Sequence, residues 1–135
     1  MKTGAYIYTD GTRSEELEQS KTIAGILCNV TDTHEIGIMP VESEERLNFD
    51  EAQQFCLAEG GRCPTIDELN GIFLNKEKIN AALKAANLPA LKESWYWSST
   101  EYVDYGAWGL RMSDGGRDLG GKGYSIRYVR PVLAF

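Results

Sequence analysis

Apolar and polar positions divide the chain into a β region, a helical region and a second β region. Three N-terminal segments are rich in apolar and β-branched residues and predict strands: residues 5–8, 22–30 and 34–41. Asp10-Gly11 predicts a turn after the first strand, and residues 31–33 predict a turn between the second and third. The polar stretches 12–20 and 42–47 are predicted to be surface loops, and the second of them is acidic.

The middle of the chain carries a helical pattern with two capping signals. Asn48 with Glu51, and Thr65 with Glu68, each fit a capping box, in which side chains satisfy the first backbone groups of a helix. Apolar residues recur at helical spacing after both boxes and again over residues 79–86, which predicts up to three helices. The predicted buried positions are Ala52, Phe55, Cys56, Ile66, Leu69, Ile72, Phe73, Ile79, Ala82, Leu83 and Ala86.

Residues 95–135 return to a β pattern. Three stretches predict strands: residues 95–99, 108–112 and 125–132. Residues 114–116 predict a hairpin turn, and the glycines within 120–123 predict a loose connection. The order of elements predicts one α+β domain over residues 1–135. Its sheet is mainly antiparallel, with two to three helices between the N-terminal and C-terminal strands.

Aromatic residues and glycines are concentrated in this last segment. Residues 95–135 hold all three tryptophans, nine of the 14 aromatic residues and seven of the 14 glycines. Short aromatic strands joined by glycine-rich loops are typical of a rigid platform that displays irregular loops to a ligand. The segment contains no His or Cys, so its composition does not suit proton transfer.

The charge of the chain constrains its partners. The net charge of −6 argues against nucleic acid and anionic membrane surfaces as ligands. The N-terminus lacks the pattern of a secretory signal, and no apolar run is long enough to span a bilayer. We therefore expect that the protein is synthesised in the cytoplasm and does not insert into a membrane. Three possibilities stay open: action in the cytoplasm, exit by another route such as a phage particle, or a domain excised from a longer chain. A phage particle or a cell surface, within a larger assembly, is the expected place of action.

Side chains suited to catalysis or metal binding are scarce. A catalytic nucleophile needs an activating base, and His34, the only histidine, is interpreted as a partly exposed turn residue. The spacing of Cys28, Cys56 and Cys63 matches no zinc pattern. Buried reduced thiols are the favoured interpretation, and a Cys56–Cys63 pair is the alternative. We expect no enzyme activity, no cofactor and no metal site.

Three sequence blocks, taken in order, resemble one known family. The blocks are Ala52-Gln53-Gln54-Phe55-Cys56 with Gly60-Gly61-Arg62-Cys63-Pro64-Thr65-Ile66-Asp67-Glu68-Leu69, then Tyr96-Trp97-Ser98-Ser99-Thr100-Glu101, and Ala107-Trp108 with Tyr128-Val129-Arg130-Pro131-Val132. Over about residues 48–135 the chain resembles the bacterial and phage domain family typified by the C-terminal domain of collagen-like adhesins. That family is similar to C-type lectins and sulfatase-modifying factors, so the resemblance implies a C-type-lectin-like fold.

The resemblance implies an adhesin or receptor-binding module for a protein or glycan on a cell surface, with homo-oligomer formation as a further option. The calcium and sugar motifs of animal C-type lectins are absent, so calcium-dependent sugar binding is not implied. Formylglycine-generating relatives use cysteines late in the chain, whereas no cysteine follows Cys63 here. Two alternatives stay open: an enzyme of the sulfatase-modifying type, and a structural subunit of a fibre or pilus-like assembly.

Some bacterial and phage members of this family are targets of diversity-generating retroelements, which vary surface positions by adenine-directed mutagenesis. The corresponding stretch here is residues 103–126. Ten positions in it could arise from an Asn-like codon by adenine substitution: Val103, Asp104, Tyr105, Gly109, Arg111, Ser113, Asp118, Gly121, Tyr124 and Ile126. An ordinary fixed loop is the alternative.

Loops at residues 102–106 and 113–124 form the predicted ligand surface. Tyrosine, glycine and serine in such loops offer rigid amphipathic contacts at modest entropic cost. The three tryptophans are interpreted as core residues, and Arg130 as a structural arginine that bonds loop carbonyls. The predicted ligand-binding residues are Tyr102, Asp104, Tyr105, Arg111, Ser113, Arg117, Asp118 and Tyr124.

Overall fold

The computed structural model describes residues 2–30 and 34–135. Its three helices lie between N-terminal and C-terminal strands, and the strands of both sheets pair in an antiparallel manner. The α+β class and the mainly antiparallel pairing predicted from the sequence are therefore confirmed. The predicted turn at residues 31–33 lies outside the described residues.

The first sheet joins the two ends of the chain. Its strands are β1 (Tyr6–Tyr8), β2 (Arg13–Ser14), β3 (Ile23–Val30), β4 (Glu35–Ile38) and β8 (Val132–Ala134). They lie in the order β2-β1-β3-β4-β8, so the C-terminal strand pairs with β4 and closes a sheet that the N-terminal strands begin. The short strand β2 falls inside the stretch 12–20 that was predicted to be a loop, because two of its residues pair with β1.

Three helices follow the first four strands: α1 (Phe49–Ala58), α2 (Ile66–Leu74) and α3 (Lys76–Ala85). Both predicted capping boxes are confirmed. The Asn48 side chain accepts a hydrogen bond from the Glu51 amide at 2.9 Å, and the Thr65 side chain accepts one from the Glu68 amide at 3.2 Å. Within residues 2–30 and 34–135, every helix falls short of the length and apolar character needed to cross a bilayer.

The second sheet contains β5 (Trp95–Val103), β6 (Gly106–Arg111) and β7 (Arg117–Gly121), in that order. The predicted hairpin turn at residues 114–116 is confirmed, since it joins β6 to β7. Gly115 adopts a φ of 78° in this turn, a conformation that favours glycine.

Long-range pairing changes the extent of two predicted strands and adds a strand within a predicted connection. The strand predicted at residues 95–99 continues to Val103, because Val103 pairs with Gly106. The glycine-rich connection contains β7, since Gly120 and Gly121 pair with β6. The closing strand predicted at residues 125–132 was wrong over most of its length. Only β8 is a strand, and the residues before it make single bridges such as that between Arg127 and Leu47.

The core lies between the first sheet, the helices α2 and α3, and the inner residues of β5 and β6. Its fully enclosed side chains include Ile26, Ile38, Leu69, Ile79, Leu83, Tyr96 and Leu110. A smaller cluster packs α1 against the second sheet through Phe49, Ala52, Cys56 and Trp97. Trp97 is thus a core residue, as predicted, whereas Trp95 and Trp108 are half-buried.

A buried carboxylate links the two sheets, which contradicts the prediction of an acidic surface loop over residues 42–47 at one position, Glu42. The Glu42 side chain is only 5% exposed. The Tyr96 hydroxyl donates to Glu42 Oε1 at 2.6 Å, and Arg130 Nη1 donates to the same oxygen at 3.2 Å. Lys92 Nζ forms an ion pair with Oε2. Burial, together with the nearby Glu42 carboxylate, raises the pKa of Tyr96, so its hydroxyl stays protonated and serves as a donor.

The Arg130 side chain connects this carboxylate to the end of β4. Arg130 Nε donates to the main-chain carbonyl of Met39 at 2.9 Å, which confirms the predicted structural role of this arginine. The partner carboxylate was not predicted, because nothing in the local sequence distinguishes Glu42 from its exposed neighbours Glu44 and Glu45.

Substituting Glu42 by alanine should destabilise the protein far more than the same substitution at Glu44. Loss of Glu42 leaves the buried Arg130 guanidinium without its carboxylate, and breaking a buried pair in this way costs about 3 kcal/mol. Denaturant unfolding of the two variants measures the difference. Equal stabilities for Glu42→Ala and Glu44→Ala would contradict the role assigned to Glu42.

Candidate functional site

All eight predicted ligand-binding residues lie on the surface of the second sheet or in its turns. Three tyrosines are strongly exposed: Tyr102 by 62%, Tyr105 by 74% and Tyr124 by 85%. The other five residues, Asp104, Arg111, Ser113, Arg117 and Asp118, are exposed as well. Exposure alone does not make them one site, because they occupy opposite ends of the sheet.

The length of β6 separates the eight residues into two groups. Tyr102, Asp104, Tyr105 and Tyr124 lie near the start of β6, where Val103 pairs with Gly106 and Gly106 pairs with Gly121. Arg111, Ser113 and Arg117 lie at its other end, roughly 17 Å away for a six-residue strand. Asp118 belongs to β7, beside the second group.

The first group forms a depression of about 210 Å³, which we call the tyrosine hollow. Its lining residues are Tyr102, Val103, Tyr105, Gly106, Leu119, Gly120, Gly121 and Tyr124. Among the parts of the chain that the structure describes, six of the eight large apolar residues that are exposed lie between positions 102 and 126. The hollow is therefore the centre of an exposed aromatic patch.

Local backbone geometry places the three tyrosines around the hollow. Because Val103 pairs with Gly106, Asp104 and Tyr105 form a two-residue turn whose side chains project beyond the strands. The Tyr105 carbonyl accepts a hydrogen bond from the Lys122 amide at 2.8 Å, which fixes that turn against the end of β7. The Tyr102 ring meets the Trp108 ring edge-on, with centroids 6.0 Å apart.

Tyr124 lies directly on a glycine. A Cβ atom at Gly121 would lie 2.5 Å from the Tyr124 ring, so the ring occupies the space that a side chain would fill. The Ser125 amide donates to the Gly121 carbonyl at 2.9 Å, and the Ser125 hydroxyl accepts from the Gly121 amide at 3.0 Å. These bonds hold the segment that carries Tyr124 while leaving its ring open to solvent.

The opposite face of the sheet is supported by a buried arginine that the sequence did not reveal. The Arg127 guanidinium lies 4.7 Å from the Trp95 ring centroid and 4.9 Å from that of Trp97. Burial lowers the pKa of Arg127. A Cβ atom at Gly109 would lie 1.7 Å from Arg127 Nη1, so only glycine fits beneath this guanidinium. Gly109, which pairs with Trp97, and Gly120, whose Cβ position lies 2.8 Å from Trp97, are the sequence signal for this packing.

Asp118 makes local hydrogen bonds within the second sheet. The Asp118 carboxylate accepts a hydrogen bond from the Leu119 amide at 2.8 Å. Arg127 Nη1 donates to the Asp118 carbonyl at 3.2 Å. Asp118 therefore serves the strand itself, in addition to its predicted role as a ligand contact.

Arg111, in the second group, is committed to the β6–β7 turn. Its guanidinium donates to both oxygens of Asp114, at 3.0 and 2.6 Å, and lies over the Trp95 ring. These hydrogen bonds, with one from the Gly116 amide, lower the pKa of Asp114 to about 2. The turn is thus held at neutral pH, and Arg111 is less available to a ligand than the tyrosines.

Charge around the tyrosine hollow is uneven. Glu101 and Lys122 form an ion pair, and the Lys122 ammonium lies 5.1 Å from the Phe49 ring centroid. In contrast, the Asp104 carboxylate makes no ion pair or hydrogen bond within residues 2–30 and 34–135. The rim therefore holds one uncompensated negative charge.

Four depressions elsewhere on the described residues are larger than the tyrosine hollow, with volumes of about 880, 550, 390 and 370 Å³. The two of about 880 and 550 Å³ lie beside α3. Their walls consist mainly of alanine, lysine and glutamate side chains from α3 and neighbouring loops, without an exposed aromatic ring. Their larger volume favours these two depressions as ligand sites. However, solvated flexible lysines and small alanines offer little contact area to a ligand. We rank the tyrosine hollow first because rigid aromatic faces are exposed there.

The cysteines are buried thiols, as the sequence indicated. Cys28, Cys56 and Cys63 are at most 3% exposed. A hydrogen bond with Cys63, together with burial, raises the pKa of Cys56, which keeps this thiol protonated and unreactive. His34 is exposed and lies directly before β4. In the described ranges, no three His, Cys, Asp or Glu side chains are placed to share a metal ion.

Comparisons with known proteins identify no relative of this chain. No protein-family model matches this chain, and a search of curated proteins finds no match either. The resemblance to the adhesin-like family therefore depends on the sequence motifs alone.

Substituting Gly109 by alanine should destabilise the protein by about 2 kcal/mol, because the added methyl group overlaps the Arg127 guanidinium and overpacks the sheet. Gly123→Ala is the matched control, since no atom lies within 4 Å of its Cβ position, and it should change stability by less than ~0.5 kcal/mol. Chemical denaturation of both variants tests this difference. A tolerated Gly109→Ala substitution would show that Arg127 is not held as described.

Proposed function

We propose that this protein is a non-enzymatic ligand-binding module, of the adhesin or receptor-binding type, that holds a protein or glycan on a cell surface. The observation that carries the proposal is the cluster of three tyrosines, each more than 60% exposed, around one hollow. A phage tail or a bacterial surface is the proposed location, within a larger assembly.

Exposed aromatic side chains support recognition for a physical reason. A tyrosine in solvent loses the packing that a core position would provide, yet it offers a large apolar face and one hydroxyl group to a ligand. Contiguous exposed apolar patches on soluble proteins mark interaction sites more often than scattered residues do. The three tyrosines and Leu119 form such a patch, whereas the exposed residues Leu57 and Leu74 lie in separate helices.

The backbone beneath the patch favours binding with little reorganisation. The Asp104-Tyr105 turn and the Gly121–Ser125 turn are each fixed by main-chain hydrogen bonds. Arg127 and the two tryptophans fill the opposite face of the same sheet. A ligand would therefore restrict only side-chain rotamers, so most of the contact energy remains available as affinity.

The proposed fold type is C-type-lectin-like. Two features support it: the N-terminal and C-terminal strands share the first sheet, and the second sheet carries the Trp-Ser-Ser block and projects its loops outward. The variable-protein hypothesis gains support from eight of its ten positions, which are exposed. Gly109 fits it poorly, because any side chain there meets Arg127, and Gly121 lies beneath Tyr124.

Alanine at Tyr105 and at Tyr124 should weaken binding about tenfold while leaving the free energy of unfolding within ~0.5 kcal/mol of the parent. Both rings are exposed, so their removal takes contact area from the ligand without opening the core. The assay is capture of the labelled protein on a glycan array and on immobilised bacterial surface proteins. Leu57→Ala, which removes an exposed apolar side chain from α1, is the control. Binding that is lost equally in the control, or large destabilisation by both tyrosine variants, would contradict the proposal.

Thiol titration separates this proposal from an enzyme of the sulfatase-modifying type, which requires a reactive pair of cysteines. In the folded protein the three thiols should react with a chromogenic disulfide reagent only as fast as the protein opens, because they are buried and the pKa of Cys56 is raised. In denaturant all three should react at once. A thiol that reacts rapidly in the folded state would favour the enzyme.

A further inference from the structure

The chemistry of the tyrosine hollow favours one class of ligand, and this inference extends the proposed function given above. Its side chains are tyrosine, valine and leucine, and its remaining lining residues are glycines. Aromatic ring faces carry negative electrostatic potential, and such faces attract cations most strongly when water is partly excluded. A hollow bordered by three tyrosines therefore suits a cation.

Charges around the hollow agree with this preference. The protein carries a net charge of −6, and the Asp104 carboxylate, which has no partner among the residues that the structure describes, lies in the turn between two lining residues, Val103 and Tyr105. The nearby lysine, Lys122, is neutralised by Glu101 and packs toward Phe49. Arg127 is a cation behind the floor of the hollow, since its Nη2 atom would lie 3.0 Å from a Cβ atom at Gly120. The attraction of a cation to the hollow therefore depends on Asp104 at the rim and on the negative net charge of the protein.

The type of cation follows from the groups that are missing from the lining. A primary ammonium group, like that of lysine, is strongly hydrated and needs several acceptors when it leaves water. Apart from the single Asp104 carboxylate at the rim, the hollow offers only tyrosine hydroxyls and strand backbone as acceptors, so a primary ammonium group would lose more hydration than it recovers. A quaternary ammonium group spreads its charge over methyl groups and donates no hydrogen bonds. It therefore transfers to an aromatic surface at low cost.

The size of the hollow fits a small group. A volume of about 210 Å³ is below the usual range for drug-sized ligands, so the hollow holds one compact group rather than a whole oligosaccharide or peptide. A neutral sugar ring would also need several directed hydrogen bonds, for which the lining supplies few side chains.

We propose that the tyrosine hollow binds a quaternary ammonium group of the choline type. Tyr102, Tyr105 and Tyr124 surround the methyl groups, and Asp104 supplies the counter-charge at the rim. Because the hollow is open to solvent on one side, we expect a dissociation constant in the millimolar range for free choline. Several hollows in one assembly would then give firm attachment to a surface that displays many such groups.

The test is a titration of the full chain with choline and with 3,3-dimethylbutan-1-ol, which has the same shape but carries a carbon atom in place of the charged nitrogen. Chemical shifts of the tyrosine rings report binding. Choline should bind at least fivefold more tightly than the alcohol. Equal affinities, or no shift with choline, would overturn the proposal.

Three variants locate the site. Tyr124→Leu should weaken choline binding about three- to fivefold, since one ring is lost, whereas Tyr124→Phe should keep the parental affinity. Asp104→Asn should weaken binding severalfold and reduce its dependence on salt, because the counter-charge is removed. Glu44→Gln, an exposed carboxylate in another loop, is the control and should leave the affinity unchanged. Parental affinity in both Tyr124→Leu and Asp104→Asn would place choline elsewhere and overturn the assignment.

Sedimentation with phosphatidylcholine vesicles identifies the source of the group. Co-sedimentation that is abolished by Tyr124→Leu would indicate a lipid headgroup. Choline binding without co-sedimentation would indicate a soluble or glycan-linked group. Both outcomes support the assignment of the tyrosine hollow as the site. Failure of this inference is distinguishable from failure of the proposed function. If choline does not bind but Tyr105→Ala and Tyr124→Ala still reduce surface capture, the binding module stands with another ligand.

Discussion

The buried Glu42 carboxylate is the interaction on which the relation between the two sheets depends. It joins Tyr96 of the second sheet to Arg130 of the C-terminal segment, and Arg130 in turn bonds the carbonyl that follows β4. Removing these charges from water is costly unless each finds its partner, so other arrangements of the C-terminal segment are strongly disfavoured. The segment therefore passes between the two sheets, where Tyr128 bridges to β5.

The same arrangement determines what the second sheet can display. After the Tyr128 bridge, Val129 and Val132 are buried in the core. Before it, the Arg127 guanidinium packs over Trp95 and Trp97 on the inner face of the second sheet. With that face packed, the tyrosines at the start of β6 contribute little to the core. The side chains that pack the inner face of the three strands are therefore different from those that the sheet exposes for the proposed recognition.

Local signals in the sequence were sufficient for much of the fold. Both capping boxes, the buried stripe of α2 and the hairpin turn at Gly115 involve residues a few positions apart, and all were correct. Non-local pairing was the source of the errors. Gly120 and Gly121 look like loop residues, yet they are strand residues because Trp97, Arg127 and Tyr124 supply the bulk that their own side chains lack.

The candidate site was predictable as a region but not as a set of residues. The exposure of the eight predicted residues followed from their loop context. Their separation into two groups at opposite ends of β6 depends on the register of β6 with β5 and β7. The engagement of Arg111 with Asp114 likewise required the three-dimensional turn. Sequence spacing carries no information on either point, since both depend on which strands meet.

The capped amide at Leu119 has a consequence for how this protein can be displayed. An aromatic patch beside an open strand edge invites neighbouring copies to add strands to one another and aggregate. Here the Asp118 carboxylate accepts a hydrogen bond from the Leu119 amide, so one donor on the outer strand β7 is already satisfied. This local cap lowers the tendency of that edge to recruit a foreign strand beside the exposed tyrosines.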